Sequence, residues 1–261
     1  MKNKQVIQHI VSWLKSYCDT AGMKGFVVGV SGGIDSALTS TLCAMTTMPV
    51  IVVNMPIHQH KNQYNLASAQ INWLKKKFNN VSSNEVSLTG TFLKLLKTFP
   101  AEIRDNHSMA NTRSRLRMLT LYAFSTHHRM LVAGTGNKVE DFGVGFFTKY
   151  GDGGVDISPI ADLMKSEVYA LAGELGIIRS ILDASPVDGL WADNRTDEQQ
   201  IGATYTELEK AMRLLSQKKK AKGQKLTVRD KQVLNIYNRF NKRNEHKMKP
   251  IPVCTIPGKL R

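Results

Sequence analysis

The stretch Val28-Gly29-Val30-Ser31-Gly32-Gly33-Ile34-Asp35-Ser36 joins an apolar run that begins at Phe26 to a helical pattern that continues toward Met45. A short, continuous apolar run predicts a strand buried on both faces. Ser31-Gly32-Gly33 then reads as a tight turn, and Asp35 or Ser36 opens the helix. Glycines let the backbone approach an anion closely and take positive φ angles. Free amides at the start of a helix, reinforced by its dipole, favour phosphate. Ser31 and Ser36 add hydroxyl donors. Asp35 runs against this pattern, because a carboxylate beside phosphates repels them. A divalent cation between them removes the conflict, since Mg²⁺ prefers carboxylate and phosphate oxygens. No GxxxxGK[ST] sequence is present, so this is not a Walker loop. The plain alternative is a glycine turn with an aspartate N-cap.

Working outward, the spacing predicts helices over 5–18, 62–78, 108–127, 165–175, 197–216 and 226–243, with Gly223 as a break before the last. Further strands are expected at Val50–Val53, within Val81–Leu88, and at Met130–Ala133. Strands alternating with helices imply an α/β fold with a parallel sheet covered on both faces. Ligands of such sheets bind at the carboxyl ends of the strands. The segment from Gly134 to Pro159 is rich in glycine and nearly aperiodic. A long loop of this kind inside a compact domain is functional or disordered, and Phe142, Phe146, Phe147 and Tyr150 argue against disorder. The prolines 250, 252 and 257 predict an extended tail. Segments 80–90, 137–155 and 217–225 are expected to be loosely held, because little of their surface is apolar.

Hydrophobic residues form 42% of the 261, enough for a proper core. The three cysteines stand far apart with no CxxC pair, which argues against a zinc ribbon, an iron–sulfur site or a redox dithiol. Residues following Met1 form an amphipathic stretch and not a secretory leader, and the most apolar segment, Val50 to Ile57, is too short for a bilayer. A soluble, cytoplasmic protein with no membrane partner is expected. The net charge of +15 attracts anions, and residues 210–249 carry 14 Lys and Arg against two acids. Nucleic acid is one candidate anion; nucleotides carrying several phosphates are another.

Ser31-Gly32-Gly33-Ile34-Asp35-Ser36 resembles the SGGxDS signature of the ATP pyrophosphatase, or PP-loop, superfamily, whose members cleave ATP to AMP and pyrophosphate. Three further segments resemble ammonia-dependent NAD synthetase. They are Asn111-Thr112-Arg113-Ser114-Arg115-Leu116-Arg117-Met118, Gly134-Thr135-Gly136-Asn137-Lys138-Val139-Glu140, and Gly145-Phe146-Phe147-Thr148-Lys149-Tyr150-Gly151-Asp152-Gly153-Gly154-Val155-Asp156. The resemblance implies a Rossmann-like, adenine nucleotide alpha hydrolase-like core over 26–165 and a helical region over 166–261 of the same domain. It implies ATP-dependent amidation of deamido-NAD with ammonia through an adenylate, and a homodimer. About 25 residues precede the first strand, too few for the glutaminase domain of some relatives, so the expected nitrogen source is ammonia.

Site roles follow from the same resemblance. Gly29, Val30, Ser31, Gly32, Gly33, Ile34, Asp35, Ser36, Thr135 and Lys165 would contact ATP. Arg115, Lys149, Asp156, His246 and Lys247 would bind deamido-NAD, and Asp35 and Glu140 would hold Mg²⁺. No covalent nucleophile is implied; positioning and electrostatics would carry the rate. Arg113, Arg115 and Arg117 alternate along one helix and cannot all share a face. Two departures stand out. The chain is one residue longer between Glu140 and the Gly145 block than some relatives, so Asp141 competes with Glu140 as a metal ligand. Val187 stands where the family carries a hydroxyl near ATP; either Ser185 is the substitute ATP contact or the contact is absent. The competing functions are a tRNA-modifying PP-loop enzyme, suggested by the basic region, and a nucleotide-binding protein without catalysis.

Overall fold

The computed structural model describes residues 1–186, 196–216 and 226–261. Its centre is a sheet of four parallel strands, β1 (Phe26–Gly29), β2 (Val50–Asn54), β3 (Val81–Glu85) and β4 (Leu131–Val132), in the order β3-β2-β1-β4. Phe26 pairs with Val50 on one side and Leu131 on the other, so β1 lies inside the sheet. Successive side chains of a strand point to opposite faces. Phe26, Val28, Val50 and Val52 accordingly enter one core cluster, while Val27, Ile51 and Val53 enter another. This two-sided burial is why β1 and β2 read as unbroken apolar runs.

Helices cover both faces. On the first lie α1 (Asn3–Thr20), α2 (Ile34–Met45) and α6 (Lys165–Glu174), whose Leu14, Leu38, Leu42 and Leu171 are fully buried. Between α2 and β3 runs α3 (Lys61–Lys77). The second face is covered by α4 (Thr89–Thr98) and α5 (Asn106–His128), through Phe92 and Met109. Helix α5 starts at Asp105, whose carboxylate accepts from the Ser108 amide, and stops at Arg129 in the left-handed region. Gly25 shows why β1 begins where it does: a Cβ there would lie 2.0 Å from the Pro49 carbonyl oxygen.

The C-terminal helices are α7 (Arg179–Leu182), α8 (Asp197–Ile201), α9 (Tyr205–Ser216) and α10 (Val228–Met248). A third apolar cluster, including Val139, Val144, Tyr205, Leu208 and Val233, joins α9 and α10 to a π-helical turn over Lys138–Val144.

The expected strands are all present, and so is the parallel arrangement. The single helix expected over 197–216 is two helices. Gly202 sits at φ +86°, a left-handed C-cap that ends α8 and redirects the chain into α9. Helix α4 was not expected. Of the segments expected to be loosely held, 81–85 is laddered to β2, and 217–225, with Gly223, lies outside the described residues, as does Val187. Among the described residues no helix is long and apolar enough to cross a membrane. Cys18 and Cys43 are buried free thiols; Cys254 is exposed.

Candidate active site

The chain leaves β1 at Gly29 and enters α2 four residues past the strand, at the carboxyl edge of the sheet. Gly32 takes φ +90°, and a Cβ there would stand 2.8 Å from the Gln63 carbonyl oxygen, so the turn is pressed against α3. The two hydroxyls shape the turn. The Ser36 Oγ donates to the Gly33 carbonyl at 2.9 Å and accepts from the Ser31 amide at 3.2 Å, and the Gly33 amide donates to Ser31 Oγ at 3.2 Å. No side chain caps α2. Its first-turn amides are therefore left for a ligand.

This turn opens into a cavity of about 890 Å³, to which Gly29 through Ser36 all contribute. Its other walls come from β4's exit at Thr135, the π turn, the middle of α5, and the end of α10. The expected contacts Lys165 and Ser185 also line it, as do Arg115, Lys149, His246 and Lys247. Segments far apart in sequence thus share one space with the phosphate turn.

The charged heart of the site is a buried cation between two acids. The Lys165 Nζ donates to Asp35 Oδ2 at 2.6 Å and to Glu140 Oε1 at 3.0 Å, and Lys165 is 3% exposed. Burial works against the lysine's charge, but the two carboxylates outweigh it and hold the ammonium above the usual lysine range. Burial also opposes ionisation of Glu140, yet Lys165 and then the Tyr205 hydroxyl bring it below the ordinary glutamate value. Asp35 goes the other way: burial and the Glu140 charge raise it, despite Lys165.

Asn137, fully buried, locks these groups in place. Its Nδ2 donates to Asp35 Oδ1 at 3.1 Å, while its Oδ1 accepts from the amides of Val139 and Glu140 at 3.1 and 3.2 Å. One side chain thus caps the π turn and fixes the aspartate. The turn over Lys138–Val144 is wound as a π-helix. Within it Glu140 reaches Lys165, and Asp141 also lines the cavity. Asp141 lies so close to Gly136 that a Cβ there would come 1.8 Å from its Oδ2. Burial, then the charges of Asp152, Glu140 and Asp35, push the Asp141 carboxyl well above its usual range. Of the two acids, Glu140 is the one paired with Asp35 around a common cation.

The residues expected to hold the second nucleotide divide into two groups. Arg115 lines the cavity and donates to the Lys149 carbonyl at 3.4 Å. Lys149 donates to the His246 carbonyl at 2.7 Å, and Lys247 to the Phe147 carbonyl at 2.6 Å, so both lysines stitch α10 to the Phe146–Tyr150 segment. Asn241 and Asn244 add bonds to the carbonyls of Gly143 and Val144. Asp156 is not in the cavity wall. Its carboxylate accepts from the Val132 amide at 2.8 Å and the Tyr122 hydroxyl at 3.0 Å on the exposed side of α5. Of the three alternating arginines, Arg115 and Arg117 both reach the cavity, while Arg113 lies over the Phe92 ring.

Sequence reasoning gave no role to Asn137, Tyr205 or Asp197. Two signals were available: Asn137 stands three residues before Glu140, and Thr204 three before Glu207, both spacings of a helix N-terminus.

The chain's likeness to known proteins agrees with this geometry. A family model described as NAD synthase matches residues 6–251. The chain belongs to the NAD synthase family. An NH(3)-dependent NAD(+) synthetase of Methanosarcina acetivorans is 35% identical over 253 residues, covering 94% of this chain and 95% of that protein. The namesake of Archaeoglobus fulgidus is 32% identical, covering 98% of each. Among solved structures, an NMN synthetase from Francisella tularensis superposes with a TM-score of 0.83 at 30% identity over 99% of both chains. An NH3-dependent NAD synthetase from Campylobacter jejuni gives 0.80 at 24% identity, covering 98% of this chain and 100% of that one, and supports the fold. The turn from Gly29 to Ser36 and the Lys165 cluster both lie within the residues the family model matches.

The fit of a divalent cation can be tested on the donor set. Asp35 and Glu140 already share a cation, and each retains exposed surface on the cavity side, 17% and 16% of the side chain. Among the described residues no group of three His, Cys, Asp or Glu side chains is arranged to hold a metal. Two carboxylates without a third protein ligand suit Mg²⁺ that arrives with nucleotide phosphates. The residues fit the ion.

Proposed function

We propose that this protein is an ammonia-dependent NAD synthetase, a ligase that joins ammonia to the carboxylate of deamido-NAD at the expense of ATP. The single observation that carries the reading is the shared cavity, in which the phosphate turn at the sheet edge faces Arg115, Lys149 and the end of α10. Family membership over residues 6–251 favours this over a tRNA-modifying pyrophosphatase.

In this reading the turn from Gly29 to Ser36 grips the β- and γ-phosphates through main-chain amides, and Thr135, Lys165 and Ser185 complete the ATP contacts. Asp35 and Glu140 hold Mg²⁺, which supplies charge neutralisation at the phosphates. Arg115, Lys149, His246 and Lys247 hold deamido-NAD with its carboxylate toward the α-phosphorus. That carboxylate oxygen attacks, pyrophosphate leaves, and ammonia displaces AMP from the resulting acyl-adenylate with loss of one proton. Carboxylate oxygen is a poor leaving group and adenylate a good one, so the order is dictated by chemistry. Alignment of the reacting atoms contributes most of the rate.

A homodimer belongs to the same proposal. Leu119 is 64% exposed one turn from Tyr122 on α5, and Trp13 and Tyr17 form an exposed aromatic pair on α1. Such apolar surface suits a second copy, and Asp156 beside Tyr122 would then meet substrate across that interface. A cytoplasmic setting fits free cysteines.

A second reading has one observation behind it, the 30% identity to an NMN synthetase over 99% of both chains. Under it the same amidation acts on the mononucleotide acid. The test is an assay with ATP, Mg²⁺ and ammonia, offering the dinucleotide and mononucleotide acids separately. NAD and AMP formed together from the first support the main reading. Higher kcat/KM with the mononucleotide favours the second, and ADP in place of AMP rejects both.

A further inference from the structure

Tyr205 reaches the cation cluster from the C-terminal helical layer, as the first residue of α9. Its hydroxyl lies 2.5 Å from Glu140 Oε1 and 3.2 Å from Asp197 Oδ2. A phenol has one proton to donate, and the shorter contact takes it. Glu140 Oε1 therefore accepts from both Tyr205 and Lys165, which fills its two lone pairs. With Oε1 taken by these two donors, Oε2 is the oxygen through which this carboxylate would meet a metal. The Tyr205 ring also sits under the Lys165 ammonium, 4.7 Å from Nζ to the centroid, within cation–π range.

The tyrosine is not free to leave. It is 7% exposed and packs with Val139, Val144 and Leu208. Its amide donates to Glu198 at 2.8 Å. Thr204 and Glu207 exchange bonds around the start of α9, and Arg229 of α10 holds Glu207 by two bonds of 2.7 and 2.8 Å.

Resting on the reading of Glu140 as a metal ligand, we propose that Tyr205 is a positioning residue for this site: its hydroxyl fixes Glu140 by Oε1 so that Oε2 faces the divalent ion, and its ring seats Lys165. The C-terminal layer thereby sets the metal affinity of a site whose ligands, Asp35 and Glu140, stand on α2 and the π turn. Partners that orient metal ligands matter nearly as much as the ligands themselves.

The test is Mn²⁺ binding to the full chain in the presence of α,β-methylene-ATP, followed by the electron paramagnetic resonance of free Mn²⁺. Tyr205→Phe, which keeps the ring, is expected to weaken Mn²⁺ about tenfold and to lower kcat, with KM for the acid substrate unchanged. A purely structural role would lower Tm and leave the Mn²⁺ constant alone, and that outcome overturns the proposal. Adding Glu140→Gln completes a cycle: the double variant should bind Mn²⁺ like Glu140→Gln alone, whereas independent losses would show that Tyr205 does not act through Glu140. Should Tyr205→Phe fail to fold, 3-fluorotyrosine at position 205 retains the hydroxyl. Its fluorine resonance should shift when Mg²⁺ and the analogue are added, and a fixed resonance overturns the idea. Production of ADP in place of AMP by the unaltered protein would sink the proposed function while leaving the Mn²⁺ comparison intact.

Discussion

Lys165 and Asp35, 130 residues apart in sequence, meet through a contact of 2.6 Å between Nζ and Oδ2. The bond joins the first turn of α6 to the first turn of α2. It is nearly dry, with Lys165 at 4% side-chain exposure. Charges held this way cost much to desolvate and much more to leave alone. The pair is better understood as preparation for a polyanion than as a strut for the fold.

Lys165→Met measures what leaving those charges alone costs. Removing the ammonium leaves Asp35 and Glu140 facing each other without compensation, at a cost of about 3–5 kcal/mol by analogy with other broken buried pairs. Urea unfolding at neutral pH measures it. A variant as stable as the parent would mean that the two carboxylates do not repel in the folded chain.

Asn137→Ala removes one amide that serves three partners, the Asp35 carboxylate and the amides of Val139 and Glu140. Leaving buried polar groups unsatisfied should cost about 1–3 kcal/mol. AMP formation should fall further than stability does, since the same change releases Asp35. Parallel measurement of Tm and initial rate separates the effects, and equal, small losses would count against the bridging role.

Gly136→Ala should collide with Asp141, because the new Cβ would stand 1.8 Å from its Oδ2. Overpacking of this kind costs about 1–3 kcal/mol. Asp141→Ala makes room, so the double variant should recover most of the lost Tm. Absence of recovery would place the clash elsewhere.

Glu207 gives a pH prediction. Hydrogen bonds from Arg229, then from Thr204, lower its carboxyl to about 2 from the ordinary value of 4.5. A folded-state value below the unfolded one means stability present above the unfolded pKa and lost as pH falls through the folded one. The contribution is therefore full above pH 4.5 and declines toward pH 2. Since Arg229 is half exposed, the amount is about 1 kcal/mol or less. Glu207→Gln should lower Tm at pH 7 and converge on the parent near pH 2, and parallel Tm curves across that window would refute the assignment.

Much of the sheet was legible in the sequence, and the reasons are physical. Phe26–Val30 and Val50–Val53 are continuous apolar runs because both sheet faces are covered. The turn at Ser31–Ser36 was legible because few sequences place glycines, hydroxyls and an acid between a strand and a helix. β3 was harder, since Val81 alone of its five residues is buried. It stays in the sheet through its ladder with β2. The break at Gly202 was missed because the apolar spacing continues on both sides of it, and with it went the chance to see that Tyr205 starts a helix.

The cation cluster was legible only by resemblance. Local pattern carries no information that Lys165 will meet an acid 130 residues earlier. Nor does it say that Lys138–Val144 will wind as a π turn; a π turn and a plain loop leave the same trace in sequence. Asn137 is the exception, since its spacing from Glu140 announces a cap.

The clamp between α10 and the Gly143–Phe147 carbonyls has a consequence for the newborn chain. Every strand leaves the ribosome roughly a hundred residues before Asn241, Asn244 and Lys247 do, and domains assemble as their parts emerge. A nascent polypeptide can close its sheet and its phosphate turn while one wall of the pocket is still untranslated. Competence for ligation therefore begins only with translation of the last helix.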